Sequence, residues 1–371
     1  MRLRLSSFLI LMSVFVLVSG QLYGQSAGVV PKMPKNPKDQ MLLAAKVNGL
    51  GQEGAKPWHL KASYQTFDAD GNPKGQGTFE EWWAAPDKYK VSFSDPGFHQ
   101  VLYRNSKKTW ITGDTGVPPF PEWMIWHVLN HPLPKAEALK HWSYLRSKRK
   151  FGSVSLNCIL PAGHPENQDL PAYMDHIEMH QYEGIGNGGF GDGDLAMACL
   201  DPKSPMLRLE AFETGWLDVL FNQVVEANGY YSAKQIDVKN NDVSIAQAHV
   251  ESVEFPGTIS DEEIAPPSSA KILLNDYSGK VNVGLRVRGK DGGGIFYPPL
   301  AKKARIQGLV IVEGTITKSG VLSNLRVMSG PAIFRNSVIE QLKSWRYKPT
   351  RLDGRPVAVQ TLVDVVFKLG N

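Results

Sequence analysis

The chain has 371 residues, 42% of them hydrophobic and 21% charged, with a formal net charge of +5; these values exclude a disordered chain and leave room for two folded domains. The charge is unevenly placed: residues 280–371 hold 16 Lys/Arg against 5 Asp/Glu, a net +11, so residues 1–279 carry 25 against 31, a net −6. The basic C-terminal part suits either a solvated surface or attraction to an anionic partner.

Residues 1–24 read as a targeting segment. Arg2 and Arg4 precede the uncharged apolar run Leu5 to Val18, and small residues follow at Ser19-Gly20 and Gly24. This is the plan of a secretory signal cleaved after Gly20 or Gly24, with an uncleaved inner-membrane tether over residues 5–20 as the alternative. Either way the bulk of the protein is expected in the periplasm, without nucleic acid as a partner. In the spacer 25–37, Pro31, Pro34 and Pro37 alternate with Lys32, Lys35 and Lys38. In polyproline geometry this segment reaches only about 25 Å.

Residues 38–256 form the first predicted domain. Met41, Leu42, Ala45 and Leu50 give a helical pattern that stops at Gly49-Leu50-Gly51. Strands then dominate: Trp58 to Phe67, a turn at Asp68 to Asn72, Gly75 to Ala84, Tyr89 to Phe93, Gln100 to Arg104 and Thr109 to Thr112. A short helix over Glu122 to Asn130 interrupts them. Strand-like runs resume over Lys148 to Leu160, Ile177 to Gln181, Ala196 to Leu200, Met206 to Phe212, Leu217 to Ala227, Tyr230 to Lys239 and Val243 to Phe255. The expected result is a curved antiparallel sheet. Eight of the nine Trp residues lie in it, from Trp58 to Trp216; they make either an ordinary core or an apolar cup, with Trp82, Trp110 and Trp126 as its candidate lining. Cys158 and Cys199 are the two cysteines. In an oxidising compartment they pair or stay as separate buried thiols, and the residues alone leave both readings open.

Catalytic and metal motifs give no positive case for an enzyme, a cofactor or a bound metal. Gly184-Ile185-Gly186-Asn187-Gly188-Gly189 contains a GxGxxG, but no helix follows it, so the stretch Gly184 to Asp194 reads as a surface loop. His176 and His180 are four apart with His164 nearby, yet their flanks look like strand and the order is not HExxH. His127 and His131 repeat the spacing at a helix end.

The N-terminal helix before a meander, the run Cys199-Leu200-Asp201-Pro202-Lys203-Ser204-Pro205-Met206-Leu207-Arg208, and Tyr230-Tyr231 ahead of Lys234-Gln235-Ile236 together resemble the LolA/LolB-like half-barrel carriers of bacterial lipoproteins. That resemblance implies a half-barrel and a lipid or acyl-chain ligand. Phe255-Pro256-Gly257 closes the domain, and residues 257–280, with Asp261-Glu262-Glu263 and Pro266-Pro267, read as a linker.

Residues 281–371 form the second predicted domain. Val281 to Val287 suggests an opening strand, and Pro298-Pro299 suits the first turn of a helix over Leu300 to Arg305. From Leu309 the period becomes two, with Val310, Val312 and Ile316 on one face and Leu309, Ile311 and Thr315 on the other. Lys318-Ser319-Gly320 turns the chain, and Val321, Leu325 and Val327 return. Phe334, Val338, Leu342 and Trp345 make a helical stripe that covers the hairpin. After Leu352 to Arg355, the run Pro356 to Leu369 alternates as a long last strand.

This order, with Tyr297-Pro298, Ala301, Gly308, Gly320, Ser329-Gly330, Trp345-Arg346-Tyr347-Lys348-Pro349, Gly354 and Pro356-Val357, resembles the C-terminal domain of the TonB family of periplasmic energy transducers. The resemblance implies an αββαβ domain that takes an outer-membrane receptor peptide as an added strand, driven by an inner-membrane motor complex. Two features differ from the family's best-known transducers: the long Pro-rich segment is replaced by a folded domain, and residues 1–25 contain no His of the motor-engaging kind.

The fold class is therefore expected to be α+β, a curved antiparallel half-barrel joined to a small C-terminal domain. Fourteen residues of last strand at ~3.3 Å each span about 45 Å, more than the hairpin can cover, so an open edge is expected. Its candidate strand-adding residues are Val357, Val359, Gln360, Thr361, Leu362, Val363 and Val365. The functional expectation is a non-catalytic peptide-docking or energy-transducing protein for outer-membrane transport. The alternative is a carrier or sensor of acyl chains with the C-terminal domain as a docking handle.

Overall fold

The computed structural model describes residues 32–51, 54–106, 108–114, 118–130, 132–134, 136–151, 153–162, 177–181, 195–212, 216–272, 281–282, 286–287, 296–352 and 354–369. The targeting segment, His164, His176, His131 and the loop Gly184 to Asp194 lie outside them.

Helix α1 (Pro37–Val47) leads into β1 (Trp58–Phe67), β2 (Pro73–Ala85), β3 (Lys88–Asp95), β4 (Phe98–Asn105) and β5 (Lys108–Gly113). Helices α2 (Phe120–Asn130) and α3 (Ala136–Leu139) follow, then β6 (Tyr144–Phe151), β7 (Val154–Pro161), β8 (Ile177–Gln181), β9 (Leu195–Leu200), β10 (Leu207–Phe212), β11 (Leu217–Ala227), β12 (Tyr230–Asn240) and β13 (Val243–Glu254). The remainder comprises β14 (Lys271–Ile272), β15 (Val281–Asn282), β16 (Arg286–Val287), α4 (Pro299–Lys303), β17 (Gly308–Ile316), β18 (Leu322–Ser329), α5 (Ala332–Leu342), β19 (Arg346–Tyr347), β20 (Arg351–Leu352), β21 (Arg355–Pro356) and β22 (Val359–Phe367).

Thirteen strands form one large curved antiparallel sheet in the order β14-β5-β4-β3-β2-β1-β13-β12-β11-β10-β9-β7-β6. Its period-two pattern places Trp58, Leu60, Ala62 and Tyr64 of β1 on the same face as Phe79 and Trp83 of β2 and Tyr89, Val91 and Phe93 of β3. Helix α1 starts where Asn36 accepts a hydrogen bond from the Lys38 N–H at 2.8 Å and Pro37 sets the first turn. Helix α2 is apolar almost all round, a composition that only full burial satisfies; Phe120, Met124, Ile125, Val128 and Leu129 sink into the core made by the sheet. The fold is thus mostly β with short helices, as expected.

Three expectations change. The run Lys148 to Leu160 is two strands, because β6 and β7 fold on each other as a hairpin. The expected linker is laid on the large sheet for much of its length: Lys88 pairs with Asp261 at 2.5 Å, Ile264 is buried, and β14 adds to β5. Ile177 to Gln181 is a strand, but it leaves the large sheet and joins the small one.

The small sheet has the order β18-β17-β22-β8. Val310, Val312, Ile316, Val363, Val365 and Phe367 pack on one side with Phe334, Val338 and Leu342 of α5. On the other side Leu309, Ile311, Met328, Leu362 and Val366 merge with the core of the large sheet. Burying four such aliphatics contributes roughly 1.5–3 kcal/mol each as an upper estimate. Polar contacts fix the approach. Asn241 donates to the Leu309 carbonyl at 2.8 Å and accepts from the Leu309 N–H at 3.0 Å, while Asn240 donates to the same carbonyl at 3.1 Å. Gly308 makes room: a Cβ there would lie 2.3 Å from the Asn241 side-chain oxygen. Arg335 of α5 reaches the β1–β2 turn, pairing with Asp70 at 2.7 Å and the Ala69 carbonyl at 2.6 Å.

Cys158 and Cys199 face each other across β7 and β9 and are joined in a disulfide. Their separation of 41 residues corresponds to about 4 kcal/mol in the chain-entropy model. The double variant Cys158→Ser/Cys199→Ser should lose stability of that order in denaturant unfolding under oxidising conditions, with the wild type under reductant behaving alike. Asn241 sits at φ 51°, a conformation glycine also accepts, so Asn241→Gly removes the clasp without backbone strain. It should cost about 1–3 kcal/mol and raise amide exchange at Leu309.

Candidate functional site

The C-terminal module is built around an aromatic trio. Phe334 of α5 and Phe367 of β22 stack with centroids 4.0 Å apart, and Tyr297 meets both edge-on at 5.7 and 5.3 Å. The Tyr297 hydroxyl donates to the Ile306 carbonyl, which ties the start of α4 to the start of β17. Tyr297-Pro298 therefore serves two ends: the ring completes the core and the prolines begin α4. Gly320, at φ +79°, lets the β17–β18 turn lie against Tyr347, whose N–H donates to the Gly320 carbonyl at 2.8 Å; a Cβ on Gly320 would sit 1.9 Å from the Tyr347 carbonyl oxygen. Trp345 and Tyr347 are both buried below this turn.

Strand β22 pairs with β17 over its full length, Val359 with Ile316 through to Phe367 with Gly308. The expectation of an open edge created by excess strand length is corrected: β22 and β17 have nine residues each. Strand β17 takes only one side of β22. On the other side β8 is added antiparallel, with Thr361 opposite Gln181, Leu362 opposite His180, Val363 opposite Met179, Asp364 opposite Glu178 and Val365 opposite Ile177. The edge is thus not open along Thr361 to Val365, because a segment of the same chain satisfies it.

The other candidate edge residues divide. Val359 and Gln360 belong to β22 but lie beyond the register of β8. Val357 precedes the strand, and its N–H donates to the Thr350 carbonyl at 2.9 Å. At this end Gln360 donates to Glu313 at 2.8 Å, and Arg326 holds the second oxygen of Glu313 at 2.5 Å. Around the module Lys302, Lys303, Lys343, Arg346, Lys348, Arg351, Arg355 and Lys368 are exposed, which makes the surface strongly basic.

Trp82, Trp110 and Trp126 are not brought together. Trp126 lies on α2 within the core. Trp82 is on the opposite face of β2, stacked on His59 at 4.4 Å and with the Lys90 ammonium 4.2 Å from its ring. Trp110 likewise alternates with the core residue Ile111. The residues that sequence reasoning missed inside the cup are Glu81 and Glu122. Glu81 accepts from Trp126 at 3.1 Å and from Asn130 at 2.7 Å, so it anchors α2 to β2. Helix α2 packs into the cup; between Val128, Leu129, Leu207, Phe221 and Ile236 lies a cavity of about 20 Å³, room for about one water.

Burial pushes the Glu81 and Glu122 carboxyls up to about 8, and that of Glu210 well above its ordinary value. For Glu81 the hydrogen bonds from Asn130 and Trp126 oppose the shift without cancelling it. A raised carboxyl pKa means that the folded protein holds a proton the unfolded chain has released. The stability it contributes is full below pH ~4.5 and is lost as pH rises towards 8. Glu81→Gln should therefore unfold at a less pH-dependent temperature than the wild type between pH 5 and 8.5, the difference reaching a few kcal/mol at the alkaline end. Parallel pH curves for the two proteins would contradict this placement of Glu81.

Residues 294–369 match the family model described as Gram-negative bacterial TonB protein C-terminal. Protein TonB of Vibrio cholerae is 35% identical over 75 residues, which are 20% of this chain and 31% of that protein, so the match spans about a third of the curated relative. Among solved structures, a LolA superfamily protein from Nitrosomonas europaea aligns over 63% of this chain and 99% of its own at 6% identity and a TM-score of 0.40. A DUF1329 family protein from Desulfovibrio piger aligns over 62% and 95% at 9% identity and a TM-score of 0.38. These structural likenesses are distant. The C-terminal match is of another order: residues 294–369 are similar in sequence to TonB C-terminal domains.

Proposed function

We propose that this is a periplasmic, non-catalytic docking protein whose C-terminal module takes an extended peptide of an outer-membrane receptor by strand addition along β22. One observation carries the reading: β22 is bonded to β17 on one side only, and its other side has the geometry to hold an antiparallel strand over Thr361 to Val365. Backbone hydrogen bonds supply affinity in this mode and alternate side chains supply selectivity. The match of residues 294–369 to TonB C-terminal domains supports the same edge-docking role, and the basic surface favours an acidic stretch beside the docked strand.

The large sheet is then a scaffold that fixes the module through Leu309, Ile311 and the two asparagines. Coupling to an inner-membrane motor would run through residues 1–31, outside the described residues. Among the described residues, no helix is long and apolar enough to cross a membrane.

The test is titration of the full chain with synthetic peptides copying the N-terminal segments of outer-membrane receptors from the same genome. Successive N–H groups of a strand point to opposite sides, so one of Leu362 and Val363 donates away from β17. Proline at that position should weaken binding at least tenfold while the unfolding transition of the large sheet stays in place. Titrations that do not distinguish this variant from the wild type would sink the strand-addition reading.

A further inference from the structure

Strands β7 and β9 are immediate neighbours, with Asn157 opposite Leu200, Cys158 opposite Cys199 and Ile159 opposite Ala198. A tight hairpin turn would connect such a pair. Instead β8, which stands between them in the sequence, pairs on the small sheet. The Cys158–Cys199 disulfide joins β7 to β9, the strands on either side of β8 in chain order.

We infer that β8 is a built-in occupant of the β22 edge, a stand-in for the partner peptide that an incoming strand must displace. The inference rests on the strand-addition reading and adds to it the form of the partner and the competition it meets. Positions opposite Val363 and Val365 are apolar, Met179 and Ile177, whereas those opposite Leu362 and Asp364 are ionisable, His180 and Glu178. The partner is accordingly an antiparallel extended peptide with apolar residues at alternate positions. The five-residue β8 pairs with one strand only, against nine pairs between β17 and β22, so it is the exchangeable member of the sheet. Being tethered, it competes at an effective concentration on the millimolar scale. A free peptide therefore binds the intact chain more weakly than it binds a chain whose β8 is disabled.

Two full-length variants, Met179→Pro and His180→Pro, test this. Adjacent N–H groups face opposite sides, and proline is tolerated where the missing N–H faces outward, so one of the two should release the edge and the other should not. Amide exchange is followed over Thr361 to Val365. Binding is followed with a fluorescent synthetic peptide copying residues 175–183, and thermal unfolding of the large sheet confirms that both variants fold. The expected result is that one variant shows at least tenfold faster exchange on β22 and at least tenfold tighter peptide binding than the wild type, while the other behaves as wild type. Unchanged exchange in both variants overturns the inference, as does equal peptide binding by all three proteins. Faster exchange without peptide binding by any of them overturns the strand-addition reading itself, which separates the two failures.

Discussion

Strand β17 is buried on both faces, and this condition organises the molecule. A strand in a small domain of this kind ordinarily needs one apolar face for its helix. Here the second face is apolar too, with Leu309 and Ile311 joined to the core of the large sheet. Hydrophobic burial has no direction of its own, so the two asparagines supply one: Asn240 and Asn241 satisfy the backbone of Leu309 at the point where β17 enters. The module is held at a defined place beside the large sheet. Strand β8 covers the side of β22 that β17 does not take, along Thr361 to Val365.

The second constraint lies inside the large domain. Helix α2 is too apolar to remain in water, and the core that receives it also holds two carboxyl groups, Glu122 of the helix and Glu81 of β2. Glu81 offsets part of its desolvation by accepting from Trp126 and Asn130, which converts a costly group into the anchor that positions the helix. A cup filled in this way behaves as a core. A carrier role for the domain would require α2 to leave and Glu81 to lose both donors, whereas edge docking requires only that a short strand be exchanged.

Much of the fold was legible in local pattern. The alternation of Val310, Val312 and Ile316 against Leu309 and Ile311, the stripe of Phe334, Val338 and Leu342, and the turn at Gly320 all correspond to observed elements. The candidate cup was less legible, for a specific reason. Trp82 and Trp83 are adjacent, so strand parity decides which one faces the core, and the inward face of β2 carries an ionisable residue, Glu81, between Phe79 and Trp83. A buried glutamate breaks the apolar alternation by which parity is read. The stretch after Phe255 looked like a linker because it is rich in proline and acidic residues, yet Lys88 and Lys90 of β3 give two of its groups partners on the large sheet.

The sequence by itself determined the order of elements in the C-terminal module and both of its apolar faces, because short-range periodicity and turn residues encode these. It also determined that Ile177 to Gln181 is a strand. Only the tertiary structure decided which sheet that strand joins, that the last strand is covered along Thr361 to Val365, and that Cys158 and Cys199 meet. Pairing partners are chosen by contacts between residues far apart in the chain. A strand's own pattern specifies that it needs a neighbour and not which one it gets.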